Sequence, residues 1–411
     1  MMNNICIDID YSQIYKNGQK IGGDVFLLDR KPGSNVITAT LSDGLGSGVK
    51  ASVLATLTSH MANKLSFSPM DLSHSAEIIM DTLPVDKEKG ISYSTFTIAK
   101  IAFSDNKSFI NVELVEYDNP DSLRFFGSES VEWDRVSTRL RRKAAVKEEI
   151  VRTSSFDMKL GDRLIFFSDG IAQAGVSLGS LTDAAGLHGS GKASLGEWGI
   201  DNVRTFISGM LRREPGINSR DLARAIVTEA YKRDSYHAND DITCAVVSIR
   251  KPVRAMLVTG APRNRESDKQ LAQMIRDFDG NVIVCGGTTA KIVARELGRD
   301  VKADKSPSGN LPPASIINGI DLVTEGMLTL SETAERLENK TLLKEMPEDP
   351  AKRIIRILRE MDQLQIVMGT KINNNEEPAA AAKIGVRFPV VDRISRSLER
   401  NYLKEVEVIY L

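Results

Sequence analysis

The sequence predicts two domains of different class. Residues 1–250 form an α+β domain, an antiparallel β-sandwich flanked by helix pairs. Residues 255–411 form an α/β domain with a largely parallel sheet. Three observations lead there. A chain of 411 residues is longer than one ordinary core supports. Its first part groups strands in runs with helices in pairs, whereas the rest alternates strand and helix in turn. Between them lies a basic, proline-containing boundary, Arg250-Lys-Pro-Val-Arg254.

The first strand is Ile5-Cys-Ile-Asp-Ile9, followed by a turn at Lys16-Asn-Gly-Gln19 and a second strand over 21–28 with Asp24 near its start. This amino-terminal stretch lacks a basic region with an apolar core and reads as a strand, not a signal peptide. After the Lys31-Pro-Gly-Ser34 turn, Asn35-Val-Ile-Thr-Ala-Thr-Leu41 is a buried strand running into Ser42-Asp-Gly-Leu-Gly-Ser-Gly48. Helices to about Leu65 and over 71–82 follow. Alternating runs at 94–103 and 109–117 form a hairpin around Ser104-Asp-Asn-Lys107. Short strands are expected at 122–127 and 129–134, and a buried strand over 163–168 closes on Asp169-Gly170. The Gly-, Ser- and Ala-rich stretch 175–199 reads as an insertion poor in large apolar residues. Helices near 201–213 and 219–232 precede a strand over 240–249. In the second domain, strands near 256–259, 281–285, 321–324, 365–370 and 406–411 alternate with helices near 265–278, 288–298, 331–340, 350–362 and 390–401.

Composition excludes several classes. The net charge of −1, from 54 basic and 55 acidic residues, gives no electrostatic case for nucleic acid or an anionic membrane. Cys6, Cys244 and Cys285 lie far apart, without metal-ligand spacing, and the last two sit in apolar runs as buried thiols would. No apolar run approaches the ~18 residues of a membrane span. The expectation is a soluble, cytoplasmic protein.

Four aspartates share one context. Asp24, Asp43, Asp169 and Asp241 each lie at a strand end, beside Gly or a second Asp. Glycine lets the backbone reverse there and brings carbonyls close to whatever binds. Carboxylates gathered without intervening Lys or Arg repel unless a cation is present, and all-oxygen ligation suits magnesium or manganese rather than zinc. Two such ions can clamp a phosphate and generate a bridging hydroxide for in-line attack.

In order, Gly22-Gly-Asp24, Ser42-Asp-Gly-Leu-Gly-Ser-Gly48, Gly161-Asp162, Phe167-Ser-Asp-Gly-Ile171 and Asp240-Asp-Ile-Thr243 resemble the motif set of the PPM-type (protein phosphatase 2C-like) phosphatases. The likeness is to the branch of stage II sporulation protein E, over roughly residues 1–250. It implies a sandwich flanked by helix pairs and a metal-dependent serine/threonine protein phosphatase using two divalent cations, manganese or magnesium. It further implies that Asp43 bridges both metals, that Gly44 lends its carbonyl, that Asp169 and Asp241 ligate one metal, and that Asp24 ligates the other. Asp240 either binds an extra metal or caps the strand. Leu45 departs from members that carry His after the Asp-Gly dipeptide as a general acid, which leaves the proton donor unassigned. His60, on the following helix, is read as packing, and His237 as a loop residue that is a lesser candidate for the site. The segment 175–199 corresponds to the variable flap, a surface loop or an element ordered by a partner. The implied substrate is a phosphoprotein, by analogy an anti-sigma-factor antagonist in bacterial signalling. Rival readings are a non-catalytic partner-binding module and hydrolysis of a small phosphorylated metabolite.

In the second domain, Val284-Cys-Gly-Gly-Thr-Thr-Ala-Lys291 places a glycine turn between strand and helix. Its amides either hold a phosphate or carboxylate or simply turn the chain. A ligand sensor and a homodimerisation module are the competing roles for residues 255–411.

Overall fold

The computed structural model describes residues 5–30, 35–68, 70–83, 94–104, 109–140, 149–176, 196–371, 379–402 and 404–411. Two compact units emerge, one spanning Asn4–Lys251 and the other Pro252–Leu411.

The first unit begins with β1 (Cys6–Ile14), β2 (Asp24–Arg30) and β3 (Val36–Gly44), then α1 (Gly48–Ser66) and α2 (Leu72–Thr82). The Asp71 carboxylate accepts the His74 amide and so starts α2, one residue after the start the sequence suggests. β4 (Ser94–Phe103), β5 (Ile110–Tyr117), β6 (Leu123–Phe126), β7 (Glu129–Ser130), β8 (Val136–Leu140), β9 (Glu149–Met158) and β10 (Asp162–Phe167) follow. The unit ends with α3 (Asp169–Ala172), α4 (Ile200–Arg213), α5 (Ser219–Arg233) and β11 (Ile242–Arg250). Two antiparallel sheets result, ordered β1-β11-β10-β6-β7 and β2-β3-β4-β5-β9-β8. Between them, alternate residues of β3, β4 and β5 (Leu41, Ile101, Leu114) meet Leu164, Phe166 and Val247 of β10 and β11. On the outer face of the second sheet, Ile79 and Met80 of α2 pack against Phe96 and Val115. On the outer face of the first, Ile207, Leu222 and Ile226 of α4 and α5 cover Phe167 and Val246. The expected sandwich with flanking helix pairs is therefore the observed fold.

Three local expectations differ. The strand expected over 129–134 shrinks to β7, which pairs with β6 and carries its register one step further through the Val131 amide, donated to the Arg124 carbonyl. β9, which the sequence did not announce, pairs with both β5 and β8 along its length. The insertion over 175–199 lies outside the described residues from 177 to 195. Its carboxyl flank is not bland: Trp198 is buried, edge-on to Phe206 and under the Arg233 guanidinium.

The second unit runs β12 (Arg254–Thr259), α6 (Arg265–Asp277), β13 (Asn281–Cys285), α7 (Gly287–Leu297), β14 (Val301–Ala303), β15 (Ser315–Ile317), β16 (Leu322–Thr324) and α8 (Met327–Glu338). It continues through α9 (Pro350–Glu360), β17 (Gln363–Met368), α10 (Ala379–Tyr402) and β18 (Glu405–Tyr410). Its sheet is ordered β14-β15-β16-β13-β12-β17-β18, parallel from β16 to β18, with β14 and β15 added antiparallel at one edge. Cores on both faces, Leu271 and Val293 on one and Leu330, Ile354 and Ile394 on the other, make it doubly wound. α10 begins well before the expected 390 and carries Pro389 inside it.

Candidate metal centre

The aspartates converge because the sandwich brings distant strand ends to one edge. Asp24 opens β2 and stands directly across from Asp43 near the end of β3. Asp169 opens α3 just after β10, and Asp240-Asp241 directly precede β11, whose neighbour in the sheet is β10.

Two glycines let these segments touch. A Cβ on Gly44 would lie 2.1 Å from the Ala51 carbonyl oxygen of α1, and one on Gly170 would lie 2.2 Å from the Asp241 carbonyl oxygen. Both obstacles are backbone, so no side chain fits at either place. A Cβ on Gly23 would lie 3.4 Å from the Gly44 carbonyl oxygen and 3.2 Å from Asp241 Oδ2, which places that carbonyl on the acidic cluster.

Each carboxylate has its own surroundings. Asp24 is 4% exposed; its Oδ2 accepts from the Thr243 hydroxyl at 2.6 Å, while its buried Oδ1 has no hydrogen-bond partner. Burial pushes its carboxyl up to about 8, against the Thr243 and Ser168 hydroxyls and with the help of Asp241 and Asp169. Burial, then Asp24, Asp169, Asp240 and Asp241 in turn, hold the Asp43 carboxyl well above the usual range. Asp169 is raised by burial and by Asp240; its Oδ2 accepts from Gln173 at 3.1 Å, and its Oδ1 is buried without a partner.

Asp241 differs from the rest. Its Oδ1 accepts the Lys16 amide at 2.9 Å and its Oδ2 the Gly23 amide at 2.6 Å, so both oxygens hold the β1–β2 connection. Asp240 is more open, with Lys16 Nζ 3.5 Å from its Oδ1. Among the described residues no three His, Cys, Asp or Glu side chains stand arranged as a finished metal shell. The chemistry nevertheless fits a hard divalent cation: the donors are all oxygen, two buried carboxylate oxygens are unpartnered, and the charges repel. His237 lies in an exposed loop and meets the Ser235 carbonyl, and His60 is exposed on α1, not packed as the sequence suggested, because it falls on the solvent face of that helix.

Three contributors escaped the sequence reading. Thr243 and Ser168 orient the centre, the first through Asp24 and the second by accepting the Thr243 amide at 3.1 Å. Lys16 adds a cation at the rim. Ser168 and Thr243 both sit inside the quoted motifs, which is the only signal the sequence carries for them.

Comparison with known proteins places the chain in a family. Residues 34–250, just over half of the chain, match the family described as stage II sporulation protein E. The chain belongs to that family. Asp24 lies before the matched residues, and Asp43, Asp169, Asp240 and Asp241 lie within them. Among solved structures, the phosphatase domain of stage II sporulation protein E from Bacillus subtilis is 19% identical, with 61% of this chain and 95% of that one covered and a TM-score of 0.40. The RsbU and RsbW domains of a Mycobacterium tuberculosis protein are 13% identical, with 67% and 68% covered and a TM-score of 0.39. RsbX in complex with magnesium is 16% identical, with 60% and 100% covered and a TM-score of 0.38. No curated protein matches the chain. No helix among the described residues is long and apolar enough to cross a membrane.

Proposed function

We propose that the chain is a metal-dependent phosphatase that hydrolyses phosphoserine and phosphothreonine on a protein, in bacterial signalling. By resemblance, the substrate is a phosphorylated anti-sigma-factor antagonist. The observation that supports this reading best is the crowding of Asp24, Asp169, Asp240 and Asp241 around Asp43 at one edge of the sandwich, each raising the Asp43 carboxyl. In this reading Asp24, Asp43, the Gly44 carbonyl, Asp169 and the Asp240-Asp241 pair hold two manganese or magnesium ions. Within that pair Asp240 is the freer ligand, since both oxygens of Asp241 are already engaged by backbone amides.

Bound divalent cations neutralise phosphoryl charge and acidify a water for in-line attack. The chain's own residues do the rest. Thr243 fixes the Asp24 carboxylate, which leaves its second oxygen directed to the cluster. Lys16 presents a positive charge at the rim, beside Asp240, which favours the approach of a phosphoryl group. Leu45 has no proton to give, so the leaving oxygen is not protonated from that position.

Manganese-dependent release of phosphate from a phosphoserine protein tests the reading. Asp43→Asn is expected to lower the rate by more than about a hundredfold, beyond the ~10–100-fold typical of losing an outer-shell partner. Activity that survives the substitution overturns the mechanism.

A further inference from the structure

The α/β unit carries a second polar site with the opposite sign of charge. β12 lies between β13 and β17, all three parallel, so their carboxyl ends stand side by side. The chain moves outward from β12 to β13 and β16 on one side, and later to β17 and β18 on the other. In doubly wound sheets such a reversal opens a crevice outside the carboxyl ends of the strands.

A cavity of about 470 Å³ lies at this edge, lined by the start of α6, one side of α7 from Thr288 in its first turn to Arg295 in its last, and Lys371 just after β17. That volume falls within the ~300–1,000 Å³ of small-molecule sites. Four cations line it: Arg265, Lys291, Arg295 and Lys371. Arg295 is neutralised by Asp268 at 2.6 Å and Glu296 at 2.8 Å. Arg265, Lys291 and Lys371 are exposed, and none has a carboxylate partner among the described residues. α7 adds to the field. Its N-cap is Gly286, at φ 116°, with no side-chain cap, and no acidic residue occupies its first turn. The amides of that turn, next to Thr288 of the lining, thus remain available to an acceptor.

We propose that this cavity binds a phosphorylated small molecule, its phosphoryl oxygens taken by Arg265, Lys291, Lys371 and the first turn of α7. Three uncompensated cations around one cavity suit a ligand carrying at least two negative charges. A neutral or singly charged ligand leaves most of that repulsion standing. The assignment is independent of the phosphatase reading.

Isothermal titration of the full chain tests it, in chelator so that the aspartate centre holds no cation and repels anions. The probes are inorganic phosphate, inorganic pyrophosphate and ADP. At least one is expected to bind at millimolar concentration or below. Affinity should fall with added salt and drop roughly tenfold or more in Arg265→Ala/Lys291→Ala, the loss expected for two charged hydrogen bonds. Tighter binding of ADP than of the inorganic anions assigns a ligand with a body beyond its phosphates. Equal binding assigns recognition to the phosphoryl group. Absence of binding by all three probes overturns the proposal, and so does binding that the double variant retains while its melting temperature is unchanged. Neither result depends on phosphatase activity.

Discussion

Both units place polar groups at strand ends, next to glycines, yet the two sites are built in opposite ways. In the sandwich the groups are carboxylates, largely buried, drawn from residues as far apart as Lys16 and Asp241 and locked by hydrogen bonds across 218 to 225 positions. In the α/β unit they are exposed cations at the start of α6, along α7 and just after β17, and only Arg295 is tied down. A buried cluster of like charge is coupled to the stability of its fold, because desolvation and repulsion are part of the folded state. An exposed cluster is nearly free of it. That difference can be broken or sharpened by experiment.

Substitution at the glycines should have the largest effect on stability. Gly170→Ala drives a methyl into the Asp241 carbonyl, and Gly44→Ala drives one into Ala51. Each is expected to cost about 2 kcal/mol or more, seen as a fall of several degrees in melting temperature. Retention of wild-type melting would mean that the two backbones are not in contact.

The pH dependence of the cation-free chain comes next. Asp24 titrates near 4 when unfolded and at about 8 when folded. The folded state therefore binds the extra proton in between, and the stability it confers is lost as pH rises through about 8. Denaturant midpoints in chelator should fall from pH 5 to pH 8.5. Asp24→Asn should flatten that slope by an amount on the order of a few kcal/mol, and added manganese should reverse it. A slope unchanged by Asp24→Asn would show that this carboxyl is not the titrating group.

Thr243→Val keeps the shape and removes the donor to Asp24. It is expected to weaken manganese affinity by about tenfold, as losing an outer-shell partner does, with direct metal titration as the readout. The smallest effect belongs to the other unit. Lys291→Ala should shift the stability of the ligand-free chain by no more than about 0.5 kcal/mol. A larger loss would show that the cationic cleft, too, supports its fold.

Much of the first site was legible because its chemistry sits in local dipeptides. Asp43-Gly44, Asp169-Gly170 and Asp240-Asp241 each interrupt an apolar strand, and the hairpin of β4 and β5 shows its alternation openly. What was not legible depends on distant partners. β9 (EIVRTSSFDM) has too few apolar residues to announce itself, and its strand state comes from the ladders on both sides. Nothing near Lys16 in sequence signals that its amide and ammonium serve the Asp240-Asp241 pair. Asp241 looks like a ligand from the motif, but the two amides it holds come from the far end of the domain. In the second unit, the part of α10 that was legible, from about 390 on, is the part whose Val390, Val391, Ile394 and Leu398 bury into the core, whereas its earlier residues continue the helix through Pro389.

The pairing of β1 with β11, from Cys6 opposite Arg250 to Ile14 opposite Ile242, has a consequence for the order in which the protein is made. Among the described residues, the first strand of the domain pairs in its own sheet only with the domain's last strand. Until residue 250 or so has been synthesised, β1 has no sheet to join, and the amides of Lys16 and Gly23 have no Asp241 to hold. A nascent or prematurely terminated chain therefore carries three of the aspartates without the centre they form. Any hydrolytic capacity arises only once the domain is complete, in a single late step of assembly.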